Sequence, residues 1–251
     1  MQSNNAITLI HGDAFEQLAL IPTGSVDCVL TDPPYGTTDA AWDKAPDWGL
    51  LFAELWRVLK HNGALLMFAQ NPLAAELIVQ QRRYFRYEWV WEKPQASGIL
   101  NAKKMPLRAH ELVLVFYRKL PTYNAALIES RRSTPLRATI SSVNSELYGK
   151  KPPKCTPARP DGYRCPRDVI RCGRDVKKHH STQKPLALLR DLLRQYCSPG
   201  DIVLDPFAGS GSTLVAAREL GLRAIGIEIT EHYYHIARAR LAEQLPLAVH
   251  S

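Results

Sequence analysis

Leu30-Thr31-Asp32-Pro33-Pro34-Tyr35-Gly36 decides how this chain is read. It follows the apolar run Val26 to Leu30, which has the length and composition of a buried strand. A carboxylate, two prolines and an aromatic ring therefore stand where a strand ends. Consecutive prolines fix two φ angles and remove two N–H donors, and they push Asp32 towards an extended backbone. The expected product is a stiff loop with an acceptor carboxylate, outward carbonyls and an exposed ring. Those groups suit a planar partner bearing an NH₂, which needs acceptors for two N–H bonds and a π-face to stack on.

Outward from that loop the pattern alternates between strands and helices. Ile7 to Ile10 reads as a strand, Ala14 to Leu20 as a short helix, and Pro22 to Ser25 as a turn. From Asp47, a helix-capping residue type, Trp48, Leu51, Leu55, Val58 and Leu59 recur at helical spacing, and Asn62-Gly63 is expected to stop that helix. Ala64 to Phe68 is a strand and Pro72 to Tyr84 a helix. Tyr87 to Trp91 and Leu112 to Tyr117 have no helix between them and are expected to form an antiparallel pair. Pro185 opens a helix with an apolar stripe from Leu188 to Tyr196. Ile202 to Leu204, Ser212 to Leu220, Ala224 to Glu228 and Tyr233 to Leu245 then read as strand, helix, strand and helix. The result is an α/β fold with a seven-stranded, mostly parallel sheet and helices on both faces. In such sheets ligands sit beyond the carboxyl ends of the strands, so Asp32, Asp205 and Glu228 stand out as acidic strand ends.

A second candidate site is Asp205-Pro206-Phe207-Ala208-Gly209-Ser210-Gly211, between a strand and a helix. Its glycines allow a tight turn against a ligand, and a helix N-terminus favours an anion. The third glycine of the dinucleotide fingerprint is missing, which argues against NAD. Glu228 ends the next strand, where a carboxylate can accept hydrogen bonds from ribose hydroxyls. The implied ligand carries a ribose and a carboxylate or phosphate.

The chain has 251 residues, room for one large α/β domain, and a net charge of +8. Between Lys150 and Lys184 lie eleven Lys/Arg against three Asp, an excess equal to that of the whole chain. Such a concentration is the footprint of a polyanion partner or a solvated loop. Residues 120–180 are rich in Pro, Arg, Lys, Ser and Thr, and are expected to form a basic insertion in a domain made of 1–119 and 181–251. Without a run of 18 apolar residues or a basic-then-apolar N-terminus, neither a membrane span nor a secretory signal is expected. Five cysteines, an odd number with no CxxC pair, read as reduced and cytoplasmic, with no metal site.

Taken together, Asp32-Pro33-Pro34-Tyr35 and Asp205 to Gly211 make the chain resemble the S-adenosylmethionine-dependent DNA amino-methyltransferases. The order of the two motifs is similar to the circularly permuted β group of that Rossmann-like family. Gly12-Asp13, His110-Glu111 and Thr182-Gln183-Lys184-Pro185 are further matches. The resemblance covers roughly residues 6–119 and 181–243. It implies that Asp32 and the Pro33 carbonyl accept the N–H bonds of a base amine, with Pro34 in the loop and Tyr35 stacked on the base. It implies that Asp13, Asp205, Phe207, Gly209, Gly211 and Glu228 bind S-adenosylmethionine, with Thr182 and Lys184 near its methionine part. The target base must be flipped out of duplex DNA.

Asp rather than Ser before Pro-Pro-Tyr leans, in this family, towards adenine N6 over cytosine N4. No cysteine follows a proline, which argues against carbon-5 chemistry. Target recognition is expected in the basic insertion, with Arg159, Arg164, Arg167, Arg171, Arg174, Lys177 and Lys178 as DNA contacts. Ala96 to Met105, with its Lys103-Lys104 pair, reads as a loop at the DNA or an exposed connection. A homodimer and a cognate restriction endonuclease are partners the resemblance raises. The rival readings are a cytosine-N4 enzyme and a non-catalytic nucleic-acid-binding module.

Overall fold

The computed structural model describes residues 6–37, 40, 43–125, 166–173, 175 and 183–243, with six short strands between 128 and 164. The chain divides into two compact units, Met1–Asn124 with Asp168–Ser251, and Ala125–Arg167. The first holds the main sheet. Its strands are β1 (Ile7–His11), β2 (Val26–Thr31), β3 (Leu59–Ala69), β4 (Phe85–Ser97), β5 (Arg108–Phe116), β6 (Val169–Arg171), β7 (Ile202–Asp205) and β8 (Arg223–Glu228). Their spatial order is β1-β8-β7-β2-β3-β5-β4-β6. All neighbours pair in parallel except around β5, which runs antiparallel to both β3 and β4. The fold is thus the mixed, mostly parallel sheet expected, with eight strands rather than seven. The extra strand is β6, three residues inside the stretch expected to be a basic insertion. Val169-Ile170-Arg171 is too short to carry a period, but it pairs with Val90 to Glu92 on the free edge of β4, where Arg171 bonds Glu92 at 2.7 Å.

The sheet is apolar on both faces, which is why its strands read as continuous apolar runs. Cys28 and Leu30 of β2, Ala64, Leu66 and Phe68 of β3, and Val113 and Val115 of β5 face one core. That core is closed by α4 (Leu186–Tyr196) and α5 (Ser212–Glu219). Val29, Leu65, Met67, Leu114 and Phe116 face the other, closed by α1 (Ala14–Leu20), α2 (Trp48–Val58) and α3 (Leu73–Gln80). A last helix, α6 (Glu231–Ala242), follows β8.

Local chemistry sets the helix ends. Asp47 caps α2 by accepting from Leu50 N at 2.9 Å. The expected stop at Asn62-Gly63 is corrected: α2 ends at Val58, and Asn62 and Gly63 lie within β3. Gly63 is there for close approach, since a Cβ would stand 2.7 Å from Leu59 Cδ1 and 2.8 Å from Asp27 O. The α4 N-terminus takes its cap from a distance, with Asp175 accepting from Leu186 N at 3.1 Å. In the second unit, residues 128–129 pair with 163–164, 139–141 with 154–156, and 144–145 with 149–150, all antiparallel. Among the described residues, no helix is long and apolar enough to cross a membrane.

Candidate active site

Because β1, β2, β3, β7 and β8 are mutually parallel, their carboxyl ends share one edge of the sheet. A cleft of about 670 Å³ opens there, lined by Asp13, the Asp32 loop, Phe68, Glu111, Lys184, the Asp205 loop and Glu228 among others. The two motifs, 173 positions apart from Asp32 to Asp205, thus line one cleft.

Asp32 leaves β2 with both carboxylate oxygens engaged. The Tyr35 hydroxyl donates to Oδ1 at 2.8 Å, and the Lys184 ammonium donates to Oδ2. Lys184 also meets Glu111 Oε2 at 3.2 Å and stands 4.9 Å from the centre of the Phe68 ring. Lys93 meets the other Glu111 oxygen at 3.3 Å and donates to Ser97 at 2.9 Å. A chain of alternating charge, Lys93–Glu111–Lys184–Asp32, buried at its lysines and half-buried at its carboxylates, therefore ends on the acceptor carboxylate. Burial pulls the Lys184 ammonium down, but Asp32 and Glu111 outweigh it and hold it above the ordinary lysine value. Burial pushes Glu111 up, and the two lysines more than reverse this, leaving it below the ordinary glutamate value. Of the roughly four lone-pair positions of a carboxylate, Asp32 uses two, which leaves two acceptor positions.

The loop is also held from behind. Asp43, buried, accepts from the backbone N–H of Tyr35 at 2.8 Å, Gly36 at 2.9 Å and Thr37 at 2.9 Å. The expectation of an exposed Tyr35 ring is corrected. The residue is half-buried, and burial with the neighbouring Asp32 charge raises its hydroxyl well above the usual tyrosine value. The hydroxyl turns back on Asp32 because an unpartnered phenol beside a carboxylate would leave both undersatisfied. Pro33 and Pro34 line the cleft beside it.

The second loop is organised by its two carboxylates. Asp205 is buried and accepts from Thr31 Oγ1 at 2.9 Å and Phe207 N at 3.2 Å. Burial pushes it up to about 6, against hydrogen bonds that favour the charged form. Glu228 accepts from Gly209 N at 2.8 Å and Thr230 N at 2.7 Å, so it clamps the glycine loop from the next strand. Gly211 has φ +79°, and a Cβ would meet Ala237 Cβ at 2.9 Å, so only glycine fits. Arg240, buried on α6, donates to Ser210 Oγ at 3.1 Å and Ser212 Oγ at 3.0 Å. The first turn of α5 carries no capping side chain, and Ser212 and Thr213 line the cleft, which fits an anionic carboxylate at that helix end. Asp13 caps α1 by accepting from Phe15 N at 2.8 Å and also lines the cleft.

Other expected contacts fall elsewhere. Arg171 sits on β6 paired with Glu92. Arg167 is exposed at the end of the second unit, and Arg164 belongs to one of its short strands. Thr182, Arg159, Arg174, Lys177 and Lys178 lie outside the described residues. Asp43, Lys93 and Phe68 were not singled out from the sequence. Asp43 sits in a polar stretch without period, Lys93 lies just past the strand expected at Tyr87 to Trp91, and Phe68 reads simply as a strand residue.

Residues 26–239 match the N6/N4 DNA methylase family. The DNA adenine methyltransferase YhdJ of Escherichia coli is 34% identical over 260 residues, covering 95% of this chain and 83% of that one. The type II methyltransferase M.HinfI of Haemophilus influenzae is 29% identical over 268 residues, covering 95% and 69%. The crystal structure of M1.HpyAVI with S-adenosylmethionine superimposes with a TM-score of 0.63 at 25% identity, covering 94% of this chain and 100% of that one. The cytosine-N4-specific PvuII DNA methyltransferase shares the fold at a TM-score of 0.69 and 17% identity, covering 96% and 90%.

Proposed function

The chain belongs to the N6/N4 DNA methylase family, and on that premise we propose that it moves a methyl group from S-adenosylmethionine to the exocyclic N6 of adenine in duplex DNA. The coarser activity, S-adenosylmethionine-dependent methylation of DNA, follows from membership. The observation that supports transfer to an exocyclic amine is the Asp32 carboxylate, held on the cleft wall by Tyr35 and Lys184 with acceptor positions left over. Asp before Pro-Pro-Tyr favours adenine within the family, and the relative at 34% identity is named an adenine methyltransferase.

An exocyclic base amine is a poor nucleophile because its lone pair is delocalised into the ring. S-adenosylmethionine, when bound, supplies a methyl group already activated by its sulfonium. Asp32 and the Pro33 carbonyl accept the two N–H bonds, which draws the nitrogen towards tetrahedral geometry and aims its lone pair. The new C–N bond forms as the C–S bond breaks, with that electron pair staying on sulfur. The surplus N–H proton leaves during or after transfer, so Asp32 need not be a strong base beforehand. Tyr35 has two tasks: its ring borders the base position, and its hydroxyl fixes Asp32. Glu228 holds the glycine loop through backbone N–H groups and retains lone pairs for ribose hydroxyls. Bound S-adenosylmethionine would set its carboxylate at the uncapped α5 N-terminus and its adenine end towards Asp13. Lys184 serves the Asp32 carboxylate first.

Target recognition is assigned to the Ala125–Arg167 unit and the basic residues flanking it. A DNA substrate and cysteines read as reduced support work in the cytoplasm. Sequencing DNA from cells that express the protein, with modified-base detection, tests the reading. The expected result is N6-methyladenine in one short motif. A motif carrying N4-methylcytosine would move the enzyme to cytosine, and no modified base would overturn both.

A further inference from the structure

The segment between β4 and β5 is not used by the chemistry above. The hairpin closes at Ser97 and Arg108, which are paired in register. That closure is at the cleft: Ser97, Lys93 and Glu111 line it, and Arg108 donates at 3.2 Å to Gln70, another lining residue. The ten residues beyond are built rather than loose. A 3₁₀ turn spans Ile99–Asn101, and the N–H groups of Asn101, Ala102, Lys104 and Met105 all find backbone carbonyls within the loop. Yet the loop presents Ile99 at 73%, Met105 at 49% and Leu107 at 38% exposure. Lys103 and Lys104 are exposed beside them. From Gln95 to His110 the chain has three Lys/Arg and no carboxylate.

We infer that this loop is the element that enters duplex DNA at the target base pair: Lys103 and Lys104 hold flanking phosphates while Ile99 and Met105 fill the stack as the base leaves it. The inference rests on the proposed DNA activity and names how the same cleft receives its substrate. A base can reach Asp32 only after leaving the duplex, and extrusion costs unstacking. Isoleucine, leucine and methionine side chains are the wedges that proteins insert between base steps, and lysines beside them compensate backbone charge. The loop starts at the rim of the cleft that takes the flipped base, and its charge is of one sign. A protein partner would need no such charge, and a second copy of this basic chain would be repelled by it.

The test uses the full chain, labelled S-adenosylmethionine and unmodified genomic DNA, offered as duplex and as heat-denatured single strands. Ile99→Ser with Met105→Ser should lower transfer to duplex by about tenfold or more while leaving transfer to single strands at the wild-type rate. Lys103→Ala with Lys104→Ala should lower the slope of log affinity against log salt on duplex by about 1.8, or 0.9 per lost phosphate contact. Equal loss on both DNA forms, no loss on duplex, or an unchanged salt slope would each overturn the inference. A changed sedimentation behaviour of the Ser variant with equal loss on both forms would assign the loop to a second copy. Wild-type protein that labels neither form would instead overturn the DNA activity itself.

Discussion

Replacing Lys184 by Met removes the ammonium that joins Glu111 to Asp32 and keeps the stem against Phe68. Lys184 and Glu111 side chains are 10% and 12% exposed, and Asp32 is 26% exposed, so solvent screens these pairs only in part. At an effective dielectric of about 20, unit charges 3.2 Å apart attract by about 5 kcal/mol. Much of that offsets the desolvation of the ammonium, and removing one partner of a buried pair costs about 3–5 kcal/mol. Lys93 still faces Glu111, which places the variant near the lower end, at about 3 kcal/mol. For a unit of this size that lowers Tm by roughly 6–12 °C.

The loss has a pH signature. Glu111 is held below its ordinary value, so its contribution is present above pH 4.5 and disappears as pH falls. Lys184 is held above its ordinary value, so its contribution is present below pH 10.5 and disappears as pH rises. The gap in Tm between wild type and Lys184→Met should therefore be widest between these values and narrow on either side. Calorimetric melts across pH measure it. In parallel, kcat should fall about 10–100-fold with S-adenosylmethionine affinity within a few-fold of wild type. A pH-independent gap would refute the charge chain. Loss confined to cofactor affinity would make Lys184 a cofactor ligand instead.

Three more outcomes follow from the site. Asp205 is raised to about 6 from 3.8, so burying its charge costs stability as pH rises through about 6; Asp205→Asn should gain on wild type between pH 4 and pH 8 by up to about 3 kcal/mol in melts. Asp43→Ala leaves three backbone N–H groups of the Asp32 loop without their acceptor, and transfer should fall by about tenfold or more while cofactor binding by calorimetry holds. Gly211→Ala forces a Cβ to 2.9 Å from Ala237 at φ +79°, and should weaken S-adenosylmethionine binding and lower Tm together, at a cost of about 1–2 kcal/mol or more.

What the sequence showed depended on whether the signal was local. The apolar run before Asp32 and the strand, glycine turn and helix around Gly209 are contiguous, so the two loops and the parallel sheet between them could be read directly. Asn62-Gly63 misled because a glycine required by the Leu59 side chain and Asp27 O looks the same in sequence as a helix stop. β6 was invisible because its three residues are a strand only in the presence of the β4 edge. The charge chain was beyond reach for the same reason. Lys184 and Asp32 are 152 positions apart, and although Lys184 sits in a recognisable motif, nothing near it shows that its ammonium pairs with Asp32. Asp43 lies seven or so residues from the amides it holds, in a stretch with no period to mark it.

The central claim is that Asp32 presents an acceptor to the N6 amine of an adenine flipped from duplex DNA. Wild type and Asp32→Ala should be incubated with methyl-labelled S-adenosylmethionine and unmodified duplex DNA, and the DNA digested to nucleosides and separated. The account predicts label in N6-methyldeoxyadenosine from wild type and none from Asp32→Ala, with both proteins binding the cofactor alike. Label in N4-methyldeoxycytidine, or undiminished transfer by Asp32→Ala, would contradict it.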